Sequence, residues 1–225
     1  MKIKHALVLL INISLLNIYY NKIDFFFNKN MMTTLDINLQ KTDLIIELLL
    51  KIGPKYVWWN DTMEDCGPQA YARDINIVNF DIIKKTGINC VGLINIIRRC
   101  LELDIPAFET SNYAGGTYEW YKYLKKNKKL KKFDLNAVYP NGTLLIRKYK
   151  SAEDQGHVAV IYKSNSTDVL KSKLLHAYSY RSFTKNDLYK KIEPGLIIDD
   201  KIETSHSWYE DGTYTHICLP ENWMI

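Results

Sequence analysis

Cys90 stands in the run INCVGLI, His157 opens the run GHVAVIY and His176 lies in LLHAYS. These are the side chains whose types and order could perform chemistry together. A thiol attacks only as its thiolate, and a free cysteine with a pKa near ~8.5 is mostly protonated at neutral pH. A helix N-terminus and an adjacent imidazolium both stabilise the thiolate. An imidazole beside the sulfur takes its proton as a general base, and a further polar group must then hold that imidazole in one tautomer and orientation. In this pattern Cys90 is the nucleophile, His157 the base and His176 the orienting group. Singly, each residue has an ordinary explanation, since a cysteine at a helix start is commonly a small buried hydrophobe. The chemical reading comes from the three taken together.

The elements around them can position such a site. Cys90, Leu93, Ile94, Ile97 and Leu101 recur at helical spacing, with Arg98 and Arg99 on the other side, and Asp104 to Pro106 ends the pattern. Cys90 therefore falls at the start of a helix, whose N-terminal amides would serve both the thiolate and a developing oxyanion. His157 begins a strand in which His157, Ala159 and Ile161 share one side. That first position predicts an imidazole that faces a helix N-terminus while still reaching solvent. Runs at 144–149, 157–162 and 174–178 read as antiparallel strands, with 216–219 closing the sheet. Upstream, Thr42 or Asp43 is expected to cap a helix carrying Leu44, Ile45, Leu48 and Leu49 that stops at Gly53-Pro54. Residues 60–79 read as an irregular insertion, and Thr117 as the cap of a helix over 118–126. Helices first and strands afterwards predict an α+β domain, with the nucleophile helix packed on an antiparallel sheet.

The same runs resemble the NlpC group of papain-like cysteine peptidases. In that group an aromatic YxWGG-like segment precedes a DCSG-type nucleophile helix, an HVGIY-type strand and an (I/V)HA strand. The corresponding stretches here are KYVWWN (55–60), INCVGLI (88–94), GHVAVIY (156–162) and LLHAYS (174–179), in the same order. PNGTLLIRKY resembles the strand that precedes the histidine in the family. The resemblance implies a papain-like core, Cys90 as nucleophile, His157 as base, His176 as orienting residue, and Tyr56 donating its hydroxyl toward the nucleophile or oxyanion. It also implies amide cleavage in peptides or isopeptides such as those of cell walls, without a cofactor or metal. The chain departs from the pattern at Asn89, Val91 and Trp59-Asn60, and the link over 60–88 is longer than in the family.

With 47% hydrophobic and 24% charged residues in 225, the chain has ample material for one packed domain, expected over 40–225. The N-terminal 1–30 segment has a basic start and an apolar stretch interrupted by Asn12, Ser14 and Asn17, as in a signal peptide or signal anchor. This gives an expectation of secretion or membrane anchoring; the alternative is a packed or disordered extension with Met31 or Met32 as the start. The net charge of +5 is mild, and the run KYLKKNKKLKK from Lys122 to Lys132 holds seven lysines. Such a run is ordinarily a solvated face; its functional reading is attraction to an anionic polymer or membrane surface. Four cysteines without a CxxC pair do not make a structural zinc site, and a basic sheet face with interleaved aromatics, as nucleic-acid binding would need, is not evident. The remaining classes are an active hydrolase, an amidase or acyltransferase using the same thiol, and a catalytically inactive relative used for binding or structure.

Overall fold

A computed structural model describes residues 32–57, 78, 80–106, 116–148, 156–178, 195–199, 201–204 and 214–225. The expected signal segment at 1–30, the aromatic pair Trp58-Trp59 and Cys66 lie outside the described residues. The chain divides into two compact units, Met1–Ile37 and Asn38–Ile225. Within the first, the described residues contain a reciprocal helix cap. The main-chain N–H of Asp36 donates to Thr33 Oγ1 at 3.1 Å, and that of Thr33 donates to Asp36 Oδ2 at 2.9 Å.

That cap starts helix α1, Thr34–Ile52. Neither Thr42 nor Asp43 is therefore a cap: both lie inside the helix, with Thr42 buried. The apolar residues of the first turns, Leu35, Ile37 and Leu39, alternate instead of recurring at helical spacing, so their helicity leaves no helical period in the sequence. The expected stop is observed, with the Gly53 N–H bonded to the Leu49 carbonyl at 3.0 Å. The described end of the 60–88 link forms a short helix, α2 (Phe80–Thr86), which the sequence analysis did not anticipate, while the 60–79 segment read as irregular lies, except for residue 78, outside the described residues. Helix α3 spans Cys90–Cys100, and helix α4 spans Thr117–Lys126. No helix among the described residues is long and apolar enough to cross a membrane.

The strands are β1 (Lys131–Lys132), β2 (Leu144–Arg147), β3 (His157–Lys163), β4 (Lys173–Tyr178), β5 (Gly195–Asp199) and β6 (His216–Cys218). They form one six-stranded sheet in the order β1-β6-β2-β3-β4-β5, and every pairing is antiparallel. The chain is thus α+β, with helices before a meandering sheet. The four strands expected from the sequence are present, and β1 and β5 add an edge on either side.

Both sides of the central strand β3 are covered, since every residue from His157 to Ile161 is buried. One side belongs to an apolar cluster of Leu145, Ala159, Ile161, Leu174 and Ile217 with Tyr139, Val169, Ile202 and Tyr214. Helix α3 packs against β3 and β4, and it is buried from Cys90 to Arg98. Arg98 was expected on a polar side, yet it is buried. Its Nε donates to the Asp104 carbonyl at 2.8 Å and its guanidinium also bonds the Trp223 carbonyl, which offsets the desolvation of the charge. Trp223 in turn donates its indole N–H to the Gly142 carbonyl at 2.8 Å, tying the C-terminus to the turn before β2.

Candidate active site

Helix α3 begins at Cys90 because Asn89 caps it. The Asn89 backbone is extended, and its side-chain oxygen accepts the Gly92 N–H at 2.8 Å. Asparagine thus performs the capping that an acidic residue would perform there. The thiol at this position is 5% exposed. The main-chain N–H of Val158, the Thr117 hydroxyl and the Val91 N–H all hydrogen-bond the sulfur.

Val158 follows His157 directly, so α3 delivers its first residue to the start of β3. The strands β3 and β4 are paired at Val160–Leu175 and Ile161–Leu174. Gly156, at φ +81, supplies the turn from which His157 enters the sheet, a conformation that side chains with a Cβ rarely adopt. His157 Nε2 lies 2.9 Å from His176 Nδ1 on the neighbouring strand β4. His176, expected from the sequence to orient His157, thus lies within hydrogen-bond distance of it.

The two ring nitrogens of His157 are therefore distinct. If Nε2–H donates to an unprotonated His176 Nδ1, the Nδ1 of His157 is the acceptor and the basic nitrogen. Among the described residues that Nδ1 makes no hydrogen bond, and none joins Cys90 to His157. Catalytic hydrogen bonds commonly tighten only when substrate is bound.

The dyad sits in an aromatic box. Tyr178 packs edge-on to His157 at 5.6 Å and tilted to His176 at 5.4 Å, and Tyr214 lies 6.3 Å from His157. His157 is 5% exposed and His176 1%, which corrects the expectation of an imidazole that reaches solvent. The strand-edge argument considered only the chain direction, whereas Tyr178 and Tyr214 cover the ring. Burial pushes the His157 pKa well below its usual range, and the neighbouring His176 and the charge of Arg147 push it the same way. Burial also raises the Cys90 thiol, against the three hydrogen bonds and the field of Arg147. At neutral pH the resting pair is thus a thiol and a neutral imidazole, rather than the thiolate and imidazolium that the helix N-terminus alone would favour.

Tyr56 is brought to the same helix start through the backbone. It forms a parallel bridge with Ile88, with Val57 N–H to Ile88 O and Ile88 N–H to Lys55 O both at 2.9 Å. Gly87 makes this approach feasible. A Cβ there would lie 2.4 Å from Val57 Cγ2 and 2.5 Å from the Lys55 carbonyl oxygen.

Two further residues belong to the site and were not read as such from the sequence. Thr117 was expected to cap α4; the cap position is Gly116, and the Thr117 side chain turns to Cys90 instead. Arg147 pairs directly across from His157 in the β2–β3 ladder, is buried, and acts on both Cys90 and His157. Its signal was the alternation of LLIRK, which places Arg147 on the same side as His157 once the register is known. Among the described residues no group of three or more His, Cys, Asp or Glu side chains is arranged to hold a metal ion.

No protein-family model, no curated protein and no solved structure matches this chain.

Proposed function

We propose that the chain is a cysteine hydrolase with an NlpC-type core, cleaving an amide in a peptide or isopeptide through an acyl-enzyme on Cys90. The observation that carries this reading is the convergence of the α3 N-terminus on the start of β3, where His157 is held by His176 at 2.9 Å. In the first half-reaction, His157 Nδ1 takes the thiol proton as the sulfur bonds the scissile carbonyl carbon. The Cys90 N–H at the helix start, supported by Tyr56, stabilises the oxyanion. The C–N bond then breaks, and the leaving amine takes the proton from the imidazolium. In the second half-reaction, water attacks the thioester with His157 again as base, releasing the acid and the thiol. Replacing water with another amine or alcohol would make the same site an acyltransferase.

Because both groups rest neutral, proton transfer accompanies attack instead of preceding it. Peptides of cell-wall type are the substrate class we propose, with no cofactor, and an N-terminal segment that secretes or anchors the chain. Incubating the protein with peptidoglycan fragments and following new amino groups tests this, with Cys90→Ala as the control. Product formation that survives in Cys90→Ala would refute it.

A binding module on the same fold is the second reading, favoured by one observation: the thiol is buried and not hydrogen-bonded to His157. It requires Cys90 to behave as an inert buried thiol. Labelling of Cys90 that depends on His157 excludes it.

A further inference from the structure

Away from the Cys90 site, two lysines and a histidine from three different parts of the chain meet around one aromatic ring, and a third lysine stands opposite that histidine. Tyr121 on α4 is buried, and the His216 ring of β6 packs edge-on to it at 5.3 Å. Lys125 Nζ lies 6.0 Å from the Tyr121 centroid and Lys148 Nζ, just past β2, 5.8 Å from it. Lys132 of β1 completes the group: it stands directly opposite His216 in the β1–β6 ladder and acts on it together with Lys148 and Lys125. The three lysines are exposed, and among the described residues none of them makes an ion pair. His216 is half-buried, and its Nδ1 is 2.8 Å from Thr215 Oγ1.

The chain gathers these charges by folding, because Lys148 is distant in sequence from the lysine run and β1 reaches β2 only through β6. Like charges brought together without an acidic partner repel one another. Each ammonium keeps its donors for a ligand, and the Tyr121 ring face supports two of them through cation–π contacts. The convergence of three ammoniums on one imidazole fits a compact, multiply charged anion better than it fits a flat surface.

We propose that Lys125, Lys132, Lys148 and His216 form a binding site for a phosphate-bearing ligand, of the density of a pyrophosphate group. The ammoniums neutralise the oxygens, and His216 Nε2 adds a hydrogen bond in its protonated form. Phosphate binding supplies the negative charge that the cluster lacks, so the ligand favours imidazolium at His216. The groups facing His216 are Lys148, Lys132 and Lys125, the Tyr121 ring and the Thr215 hydroxyl. The site is independent of the chemistry proposed for Cys90.

Inorganic pyrophosphate is the probe. The His216 imidazole proton signals of the full chain are followed by NMR through a pH series with pyrophosphate, and with sodium chloride of equal ionic strength as the control. The expected result is saturable binding that raises the His216 titration midpoint, which chloride does not reproduce. Lys148→Ala and Lys125→Ala each weaken binding about tenfold, as expected for loss of one charge-assisted contact, whereas the exposed Lys163→Ala leaves it unchanged. An unmoved His216 midpoint, a response equal to that of chloride, or equal affinity in all three variants would each overturn the site. So would association with vesicles containing phosphatidic acid without any response to pyrophosphate.

Discussion

The neutral state of His157 makes the protein acid-labile in a way that one substitution removes. In the folded chain, burial, the neighbouring His176 and the charge of Arg147 hold the imidazole pKa well below 6.5. In the unfolded chain it returns to about 6.5. The sign follows from which state binds more protons. Above about pH 7 both states are neutral and His157 contributes nothing pH-dependent; below pH 6.5 the unfolded state takes up a proton that the folded state refuses. Stability then falls with a limiting slope of about 1.4 kcal/mol per pH unit. While the folded imidazole stays neutral, the loss reaches about 2 kcal/mol at pH 5. That is a sizeable part of a total of about 5–15 kcal/mol. Urea unfolding from pH 8 to pH 5 on wild type and His157→Gln measures it, using midpoints at constant m-value. His216, whose pKa is also lowered, is present in both proteins and cancels in the difference. The difference should be flat above pH 7 and fall below pH 6.5. Parallel profiles across the whole range would refute the burial argument, and with it the neutral base.

Other substitutions probe the rest of the site. Thr117→Val removes a hydrogen bond to the sulfur; hydrogen bonds to charged groups are worth about 1.5–3 kcal/mol, so the Cys90 alkylation midpoint should rise by at least about one pH unit, and Thr117→Ser should restore it. Arg147→Met takes away a charge that lowers both Cys90 and His157; NMR titration and alkylation should show both midpoints moving up, and opposite movements would contradict a shared field. Asn89→Ala loses the α3 cap, at a cost of about 1 kcal/mol in denaturant unfolding, while Asn89→Asp keeps it. Gly87→Ala forces a side chain into φ +79 and against Val57. The conformation alone costs about 1–3 kcal/mol, read as a lower thermal midpoint.

The helix at Cys90 and four of the strands were legible because their apolar residues repeat with clear periods. The pairing of His157 with His176 was legible for a related reason: two short strands in sequence, each with one histidine, form neighbours in an antiparallel sheet. What escaped the sequence depends on register and on long-range packing. Lys131–Lys132 is too short to carry a period, and the apolar residues Leu35, Ile37 and Leu39 in the first turns of α1 alternate instead of recurring at helical spacing. Thr117 has the residue type of a cap, and only the packing of α4 beside α3 reveals that its hydroxyl serves Cys90. Arg147 became part of the site only when β2 was set opposite β3, and the burial of His157 only when Tyr178 and Tyr214 closed over it. The lysine run shows the same limit: its length was visible, but its meeting with Lys148 and His216 required the strand order.

The central claim is that His157 activates Cys90. The most direct measurement is the rate of Cys90 alkylation by iodoacetamide against pH, located by peptide mass spectrometry, with Cys66→Ser throughout and with or without His157→Gln. Cys100 and Cys218, both pushed up to about 12 by burial, serve as internal controls and should stay unlabelled at neutral pH. Cys90 should be labelled selectively, and His157→Gln should slow that labelling at neutral pH by about tenfold or more, in the range of general-base assistance. Labelling of Cys90 that is as slow as that of Cys100, or that is indifferent to His157, would contradict the central claim.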